Sequence, residues 1–222
     1  MRTRRHRPLN KTLRGGKILG KGLFASAISP AIQCKDGRDM TGMVTRLLKD
    51  GDMDALLSRW NPELIEKLKE IDPDQKYFFY PEYCEPGKLS EQNIEDGATE
   101  ENKIYSEVMK KGFETWGLTL YKRRSWMDYL AGRKAWINEN KKYKKMFDHL
   151  IKGVEILHEH KICHNDLHPG NIIMARDRLP RIIDFGEATM NSPKRKLNAE
   201  INYIKSYYSV YIPTSMDDQS SS

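Results

Sequence analysis

Cysteine is scarce in this sequence, and long apolar runs are missing. The three cysteines, Cys34, Cys84 and Cys163, are odd in number and far apart, which argues against a disulfide framework and against a zinc site. No run approaches the roughly 18 apolar residues of a membrane span, and no apolar stretch follows the first arginines as it does in a signal peptide. We therefore predict a protein that lacks disulfides, has no membrane partner, is not secreted and works in the cytoplasm or the nucleus.

Acidic residues are outnumbered, with 31 Asp and Glu against 38 Lys and Arg, for a formal net charge of +7. Such a surplus of positive charge is compatible with binding to a nucleic acid, a membrane surface or a small polyanionic ligand. Residues 1–14 are basic with almost no apolar partners, which predicts a flexible arm. The arm lacks the interleaved aromatic residues of single-strand binders, so we do not expect a nucleic-acid partner. Residues 213–222 are predicted to form a disordered tail.

Helical spacing of apolar residues predicts three helices. The first begins at an Asn61 cap followed by Pro62 and ends before Asp72, since asparagine caps helix N-termini and proline suits the first turn. The second covers residues 141–160 and has a lysine-rich wet face. The third covers residues 199–211. These helices supply most of the predicted second half of the fold.

Strands are predicted where short runs contain β-prone residues. Residues 17–35 indicate a strand, a glycine turn and a second strand, and the Tyr-Phe-Phe-Tyr run at 77–80 indicates another. The apolar runs at 172–174 and 181–183 flank a turn-forming segment, which predicts a small hairpin. The acidic segment 85–102 is predicted to be a surface loop.

One set of polar residues has a spacing that chance rarely produces. Asn171 follows Asp166 by five residues, and Asp184-Phe185-Gly186 comes directly after two isoleucines. Phosphoryl transfer needs a carboxylate that receives the proton of the acceptor hydroxyl, and oxygen ligands for magnesium. These residues therefore predict a magnesium-dependent phosphotransferase.

The segment from Phe147 to Ala188 resembles the catalytic helix, catalytic loop and metal-binding loop of protein kinases, without a gap. The resemblance implies ATP and Mg²⁺ as cofactors and a protein serine or threonine as the acceptor. It also implies Asp166 as the catalytic base and Asn171 and Asp184 as the two magnesium ligands. His164, usually structural in the family, and His168 complete the predicted catalytic residues.

Residues 18–27 resemble the glycine-rich loop with which protein kinases cover the phosphates of ATP. The match is partial, because alanine occupies the position of the third glycine. The nucleotide-binding residues implied in this loop are Gly20, Lys21, Gly22 and Phe24.

Arg46 occupies the position at which the family carries a lysine that grips the α- and β-phosphates. A guanidinium is larger and planar, so the replacement is not conservative. Lys49 is the alternative cation, although it faces the other side of a strand. Glu63 is the expected partner of this cation, with Glu66 as the other choice.

Two further departures affect the predicted acceptor. His168 replaces a lysine that is usual in serine/threonine kinases, and 36 residues follow Gly186 without an Ala-Pro-Glu motif. The catalytic loop is also similar to that of aminoglycoside and choline phosphotransferases. Residues 29–34 and 71–73, in contrast, resemble the divergent serine/threonine kinases of large DNA viruses, which would place the protein in a host cell.

The sequence thus predicts an α+β, two-lobed, protein-kinase-like fold with a truncated C-lobe. The N-lobe is expected at residues 15–115 and the C-lobe at residues 116–212. The favoured function is a serine/threonine protein kinase with an unidentified protein substrate. A small-molecule kinase and a pseudokinase that only binds partners are the alternatives, and the oligomeric state is left open.

Overall fold

The computed structural model describes residues 16–21, 25–48, 61–88, 105–112 and 133–211. The predicted basic arm, most of the acidic loop and the predicted tail lie outside these described residues. The chain divides into two compact units, which confirms the α+β class: a sheet forms the first and helices with a hairpin form the second. The units comprise Met1–Met53 with Glu82–Lys110, and Asp54–Pro81 with Lys111–Ser222.

The first unit contains an antiparallel five-stranded sheet in the order β1-β2-β3-β5-β4. The two predicted strands near the N-terminus are confirmed, although β2 ends at Ser29; the predicted turn between them lies outside the described residues. The side chain of Thr45 is buried and accepts a hydrogen bond from the Ile32 N–H at 2.7 Å, which ties the segment after β2 to the sheet. The strands are β1 Lys17–Lys21, β2 Ala25–Ser29, β3 Met43–Leu48, β4 Glu82–Tyr83 and β5 Tyr105–Lys110.

Cys34 and Cys84 form a disulfide, so the prediction of a chain without disulfides is wrong. The two cysteines are 50 residues apart in sequence, and their Cα atoms lie 5.5 Å apart. The backbones around them are paired, since the Lys35 N–H donates to the Glu85 carbonyl at 2.8 Å. Sequence spacing carries no signal for this pair, because long-range strand pairing creates the proximity. Cys163 is a free, buried cysteine.

The second unit has one hydrophobic core shared by three helices and the hairpin. Its helices are α1 Pro62–Ile71, α2 Arg133–Glu159 and α3 Lys194–Tyr211, and its hairpin strands are β6 Ile172–Met174 and β7 Pro180–Ile182. The hairpin is confirmed, whereas α2 and α3 begin earlier than predicted. Within the described part of the chain, no helix is apolar enough over a sufficient length to cross a membrane.

Helix α1 begins as the sequence predicts. The Asn61 side chain accepts a hydrogen bond from the Leu64 N–H at 3.1 Å, which satisfies one of the free donors of the first turn. Leu64, Ile65 and Leu68 are buried in the core of the second unit. Residues 54–81 therefore group with that unit, whereas the sequence division placed them in the first lobe.

Residues 77–80 do not form the predicted strand. Phe78 forms an isolated bridge to Ile182. The backbone N–H groups of residues 76–78 already donate hydrogen bonds to a side chain, so they are not free for a strand ladder. The buried carboxylate of Asp72 accepts three of them, at 2.7 to 2.8 Å, from the N–H groups of Lys76, Tyr77 and Phe78.

Candidate active site

The catalytic loop runs from Cys163 to Asn171 and is held at its start by a short antiparallel contact. Cys163 and Thr189 exchange backbone hydrogen bonds of 3.0 and 2.8 Å. The loop follows directly on the turn that ends α2, where Lys161 adopts a positive φ of 57°. The loop is thus fixed between a helix end and the segment after Gly186.

Asp166 and Asn171 are brought together as predicted. The Asn171 Nδ2 donates to the Asp166 backbone carbonyl and to its Oδ2, both at 2.9 Å. These bonds use both amide hydrogens of Asn171 and leave its Oδ1 available to a cation. The Asp166 side chain remains half-exposed, so its carboxylate is accessible to an acceptor.

Asp184 lies on the backbone segment next to Asn171. The Ile183 N–H donates to the Asn171 carbonyl at 2.9 Å, and Asp184 follows in a left-handed conformation with a φ of 62°. Aspartate tolerates this region better than most residues. A carboxylate and an amide oxygen on adjacent segments fit Mg²⁺, which prefers such oxygen ligands.

The buried ring of Phe185 anchors this segment in the core. Its ring is buried and makes an edge-on contact with Phe78, with centroids 5.8 Å apart. The ring of His164 contacts Phe185 as well, at 4.9 Å. Asp184 is partly exposed, whereas its neighbour Phe185 is anchored in the core.

His164 is completely buried, so it has a structural role and does not contact a substrate. Its Nε2 donates to the Ile183 carbonyl at 2.9 Å, which requires the proton to be on Nε2. Burial lowers the pKa of the imidazole below its ordinary value and keeps the ring neutral. The Nδ1 atom has no hydrogen-bond partner among the residues that the structure describes. His164 thereby ties the catalytic loop to the residue before Asp184.

His168 is held in one orientation beside Asp166. Its Nδ1 accepts the Gly170 N–H at 3.0 Å and caps the short helical turn Pro169–Asn171. In the neutral ring the proton therefore lies on Nε2, which is 3.9 Å from Asp166 Oδ2. His168 thus presents a donor toward the carboxylate at the centre of the site.

Glu200 of α3 is a site residue that sequence reasoning missed. Its carboxylate accepts the backbone N–H of Asn165 at 2.9 Å and contacts His158 Nε2 at 2.8 Å. Burial favours a raised pKa for Glu200, but the hydrogen bonds from His158 and the loop backbone outweigh it, and the pKa is lowered. A lone glutamate between Leu197 and Ile204, on the apolar face of a predicted helix, was the available signal.

Asn165 links the catalytic loop to the segment after Gly186. It has a positive φ of 64°, and its side-chain amide donates to the Glu187 carbonyl at 2.7 Å and to Thr189 Oγ1 at 3.0 Å. Together with Glu200, it gives Asp166 a well-supported backbone.

The predicted glycine-rich loop is described only in part. Gly20 and Lys21 lie on β1, opposite Ala27 and Ser26 of β2. Gly22 and Phe24 lie outside the described residues, so their contact with ATP stays a prediction.

Arg46 lies in the middle of β3, opposite Ala27 on one side and Glu107 on the other. Glu63 is exposed in the first turn of α1, within the second unit. The pairing of Arg46 with Glu63 stays a prediction, and Lys49 lies outside the described residues.

Comparison with known proteins gives one family match and several relatives. Residues 51–209 match the protein kinase domain family. Sperm motility kinase 3A of Mus musculus is 36% identical over 147 residues, which cover 66% of this chain and 21% of that protein. CBL-interacting serine/threonine-protein kinase 15 of Arabidopsis thaliana is 22% identical over 191 residues, covering 82% of this chain and 36% of the relative. The chain thus spans about a fifth to a third of the length of these relatives.

Proposed function

This chain belongs to the protein kinase domain family, and we propose that it transfers the γ-phosphoryl group of ATP to a serine or threonine hydroxyl of a protein. The observation that carries the proposal is the pair of 2.9 Å hydrogen bonds from Asn171 to Asp166. They join the proposed base to a proposed magnesium ligand, and the Ile183 bond joins that ligand to the segment of Asp184.

Asp166 is the proposed base. Its Oδ2 is engaged by Asn171, so Oδ1 is the atom to receive the proton of the acceptor hydroxyl. The acceptor oxygen then forms a bond to the γ-phosphorus while the bond from that phosphorus to the bridging oxygen of ADP breaks. The Nε2–H of His168 faces the same carboxylate, 3.9 Å from Oδ2.

Asn171 and Asp184 are the proposed magnesium ligands. Bound with ATP, Mg²⁺ neutralises charge on the phosphates. The Oδ1 of Asn171 and the carboxylate of Asp184 are the groups of the second unit that suit this role. In the first unit, Arg46 and the glycine-rich loop are the proposed contacts to the phosphates.

The acceptor class is supported by the names of the relatives. One relative carries the name serine/threonine-protein kinase. The resemblance to kinases of large DNA viruses remains a prediction drawn from residues 29–34 and 71–73.

A pseudokinase is the second candidate, and Arg46 is the observation that favours it. The intact set of Asp166, Asn171 and Asp184 supports the catalytic proposal instead, because a binding module has no chemical need for all three.

The roles of Asp166 and Asp184 separate in a single experiment on nucleotide binding and turnover. Asp184→Asn should weaken magnesium-dependent ATP binding by about tenfold or more, because an amide lacks the charge that holds the metal. Asp166→Ala should retain ATP binding and lose roughly 100-fold or more in kcat, the usual scale of general-base catalysis. Binding by calorimetry and transfer of labelled phosphate to generic protein acceptors measure the two effects.

Asp148→Asn is the matched control, because Asp148 is an exposed carboxylate of α2 that pairs with Lys144. It should leave binding and turnover unchanged. Unaltered turnover in Asp166→Ala would remove the role of Asp166 as the base. Nucleotide binding without any phosphate transfer by the unmodified protein would favour the pseudokinase instead.

A further inference from the structure

An open pocket of about 380 Å³ lies beside Asp166 within the second unit. Its floor and near wall are residues of the catalytic loop, including Cys163 and Leu167. Its far wall is one face of α3, where the lining positions are three, four and seven residues apart, the spacing of a helix face. The volume is that of ordinary ligand pockets. The α3 residues in this wall are Lys196, Ala199, Glu200 and Tyr203.

The two carboxylates in this pocket are already engaged. Asp166 accepts the Asn171 amide, and Glu200 accepts the Asn165 N–H while it contacts His158. Lys196 is exposed, and within the described residues it forms no ion pair. The ammonium group of Lys196 is therefore a cation of the pocket with which an acidic side chain of a ligand can pair.

The first turn of α3 carries three consecutive cations, Lys194, Arg195 and Lys196, and no acidic residue. All three are exposed and, in the part of the chain that the structure describes, none has an acidic partner. Helix N-termini favour acidic residues, because the helix dipole is positive there. Three cations in this turn lower the stability of the helix, and an anionic ligand would offset that cost.

Resting on the proposed kinase function, we infer that this pocket is the acceptor site and that the basic turn Lys194–Lys196 selects protein substrates with aspartate or glutamate beside the acceptor serine or threonine. The acceptor hydroxyl enters beside Asp166, and the neighbouring acidic side chains pair with the cations at the rim. In the transfer, the proton of the acceptor hydroxyl goes to Asp166, the γ-phosphorus bonds to the acceptor oxygen, and ADP leaves. Tyr203 closes the far end of the wall.

The test uses the full-length chain and three serine peptides that differ only in their flanking residues: acidic, amide or lysine. The variants are Lys196→Glu and, as a matched control, Lys205→Glu. Lys205 is an exposed lysine of the same helix, and it lies nine residues on, which places it on the opposite side from Lys196. Initial rates give kcat/KM for each peptide, and circular dichroism confirms that each variant is folded.

The unmodified protein should phosphorylate the acidic peptide about fivefold better than the amide peptide, the scale of one exposed ion pair. Lys196→Glu should abolish that preference and favour the lysine peptide, whereas Lys205→Glu should behave as the unmodified protein. A preference of Lys196→Glu for the lysine peptide cannot come from a merely destabilised helix.

Equal rates on all three peptides, or a preference that Lys196→Glu leaves intact, would overturn the inference while the kinase proposal stands. Phosphate transfer to small hydroxyl compounds but to none of the peptides would overturn the inference together with the proposed protein acceptor. Absence of any phosphate transfer would instead refute the proposed function itself, so the two failures are distinct.

Discussion

Arg46 is the single residue at which this chain departs furthest from the protein-kinase pattern. Its neighbour on β3, Thr45, is completely buried, so Arg46 lies on the other face of the strand. A guanidinium offers charged hydrogen bonds to phosphate oxygens, but with a larger and planar head than the ammonium of lysine. Arg46 is therefore the residue at which the proposals of an active enzyme and of a binding module diverge.

Removing the guanidinium should reveal its role. Arg46→Ala should weaken ATP binding by roughly 1–3 kcal/mol, the scale of a hydrogen bond to a charged group, and Arg46→Lys should preserve or raise turnover. Calorimetric titration with ATP and a steady-state assay measure the two effects. Lys110→Ala, an exposed lysine at the end of β5, is the control. If it weakens binding as much as Arg46→Ala does, the effect is one of overall charge and not of position.

At the scale of single elements, a buried carboxylate shapes the segment after α1. Asp72 accepts three backbone N–H groups, and its own N–H donates to the Leu68 carbonyl at 2.9 Å. Asp72→Ala should lower the free energy of unfolding by about 3 kcal/mol, because buried donors lose a charged acceptor. Urea unfolding measures the change. Asp74→Ala, two residues on and exposed, should change stability by less than about 0.5 kcal/mol; a similar loss in both variants would contradict the capping role.

Loss of the Cys34–Cys84 disulfide also has a defined effect on stability. Cys34 and Cys84 are 50 residues apart in sequence, so the cross-link should stabilise the first unit by about 2–4 kcal/mol because it restricts the unfolded chain. Cys84→Ser and treatment with a reductant should lower the melting temperature to a similar degree. The melting temperature of Cys163→Ser should still fall on treatment with the reductant, because Cys163 is not part of the disulfide. Two additional alkylated thiols in the denatured, unreduced protein would show that the disulfide is absent.

At the scale of the whole molecule, buried titratable groups set the pH range of stability. The pKa of His164 is lowered by burial from an ordinary value of 6.5. The unfolded chain takes up a proton below pH 6.5 that the folded ring does not, so stability is complete above that pH and falls as the solution becomes more acidic. The pKa of His149 is lowered for the same main reason and acts in the same range. The lowered pKa of Glu200 adds a second loss below about its ordinary value of 4.5.

Urea unfolding between pH 4 and 8 tests this sequence of losses. The free energy of unfolding should be level above pH 6.5, decline below it, and decline more steeply below about pH 4.5. His164→Phe should be less stable at pH 8 by about 1 kcal/mol, for the lost hydrogen bond, and should show a shallower decline between pH 6.5 and 5. An unchanged slope would mean that His164 is protonated in the folded protein.

The sequence by itself determined the elements whose signals are local. The Asn61-Pro62 start of α1, the amphipathic face of α2 and the turn between β6 and β7 depend on neighbours within a few residues, and all three are confirmed. The spacing of Asp166, Asn171 and Asp184 is local in the same sense, because a short loop and one hairpin separate them. The structure accordingly joins Asp166 to Asn171 and puts Asp184 on the adjacent segment.

Tertiary structure decided what depends on distant segments. The Cys34–Cys84 disulfide follows from backbone pairing across 50 residues, and the missing strand at 77–80 follows from donors that Asp72 had already taken. Glu200 joins the site because α3 packs against the catalytic loop, and its charge is tolerated there because Asn165 and His158 provide partners. The partners that stabilise the buried carboxylate of Glu200 are far from it in sequence, so they leave no local pattern. The sequence therefore indicated the catalytic residues of the site but not the residue that holds their loop in place.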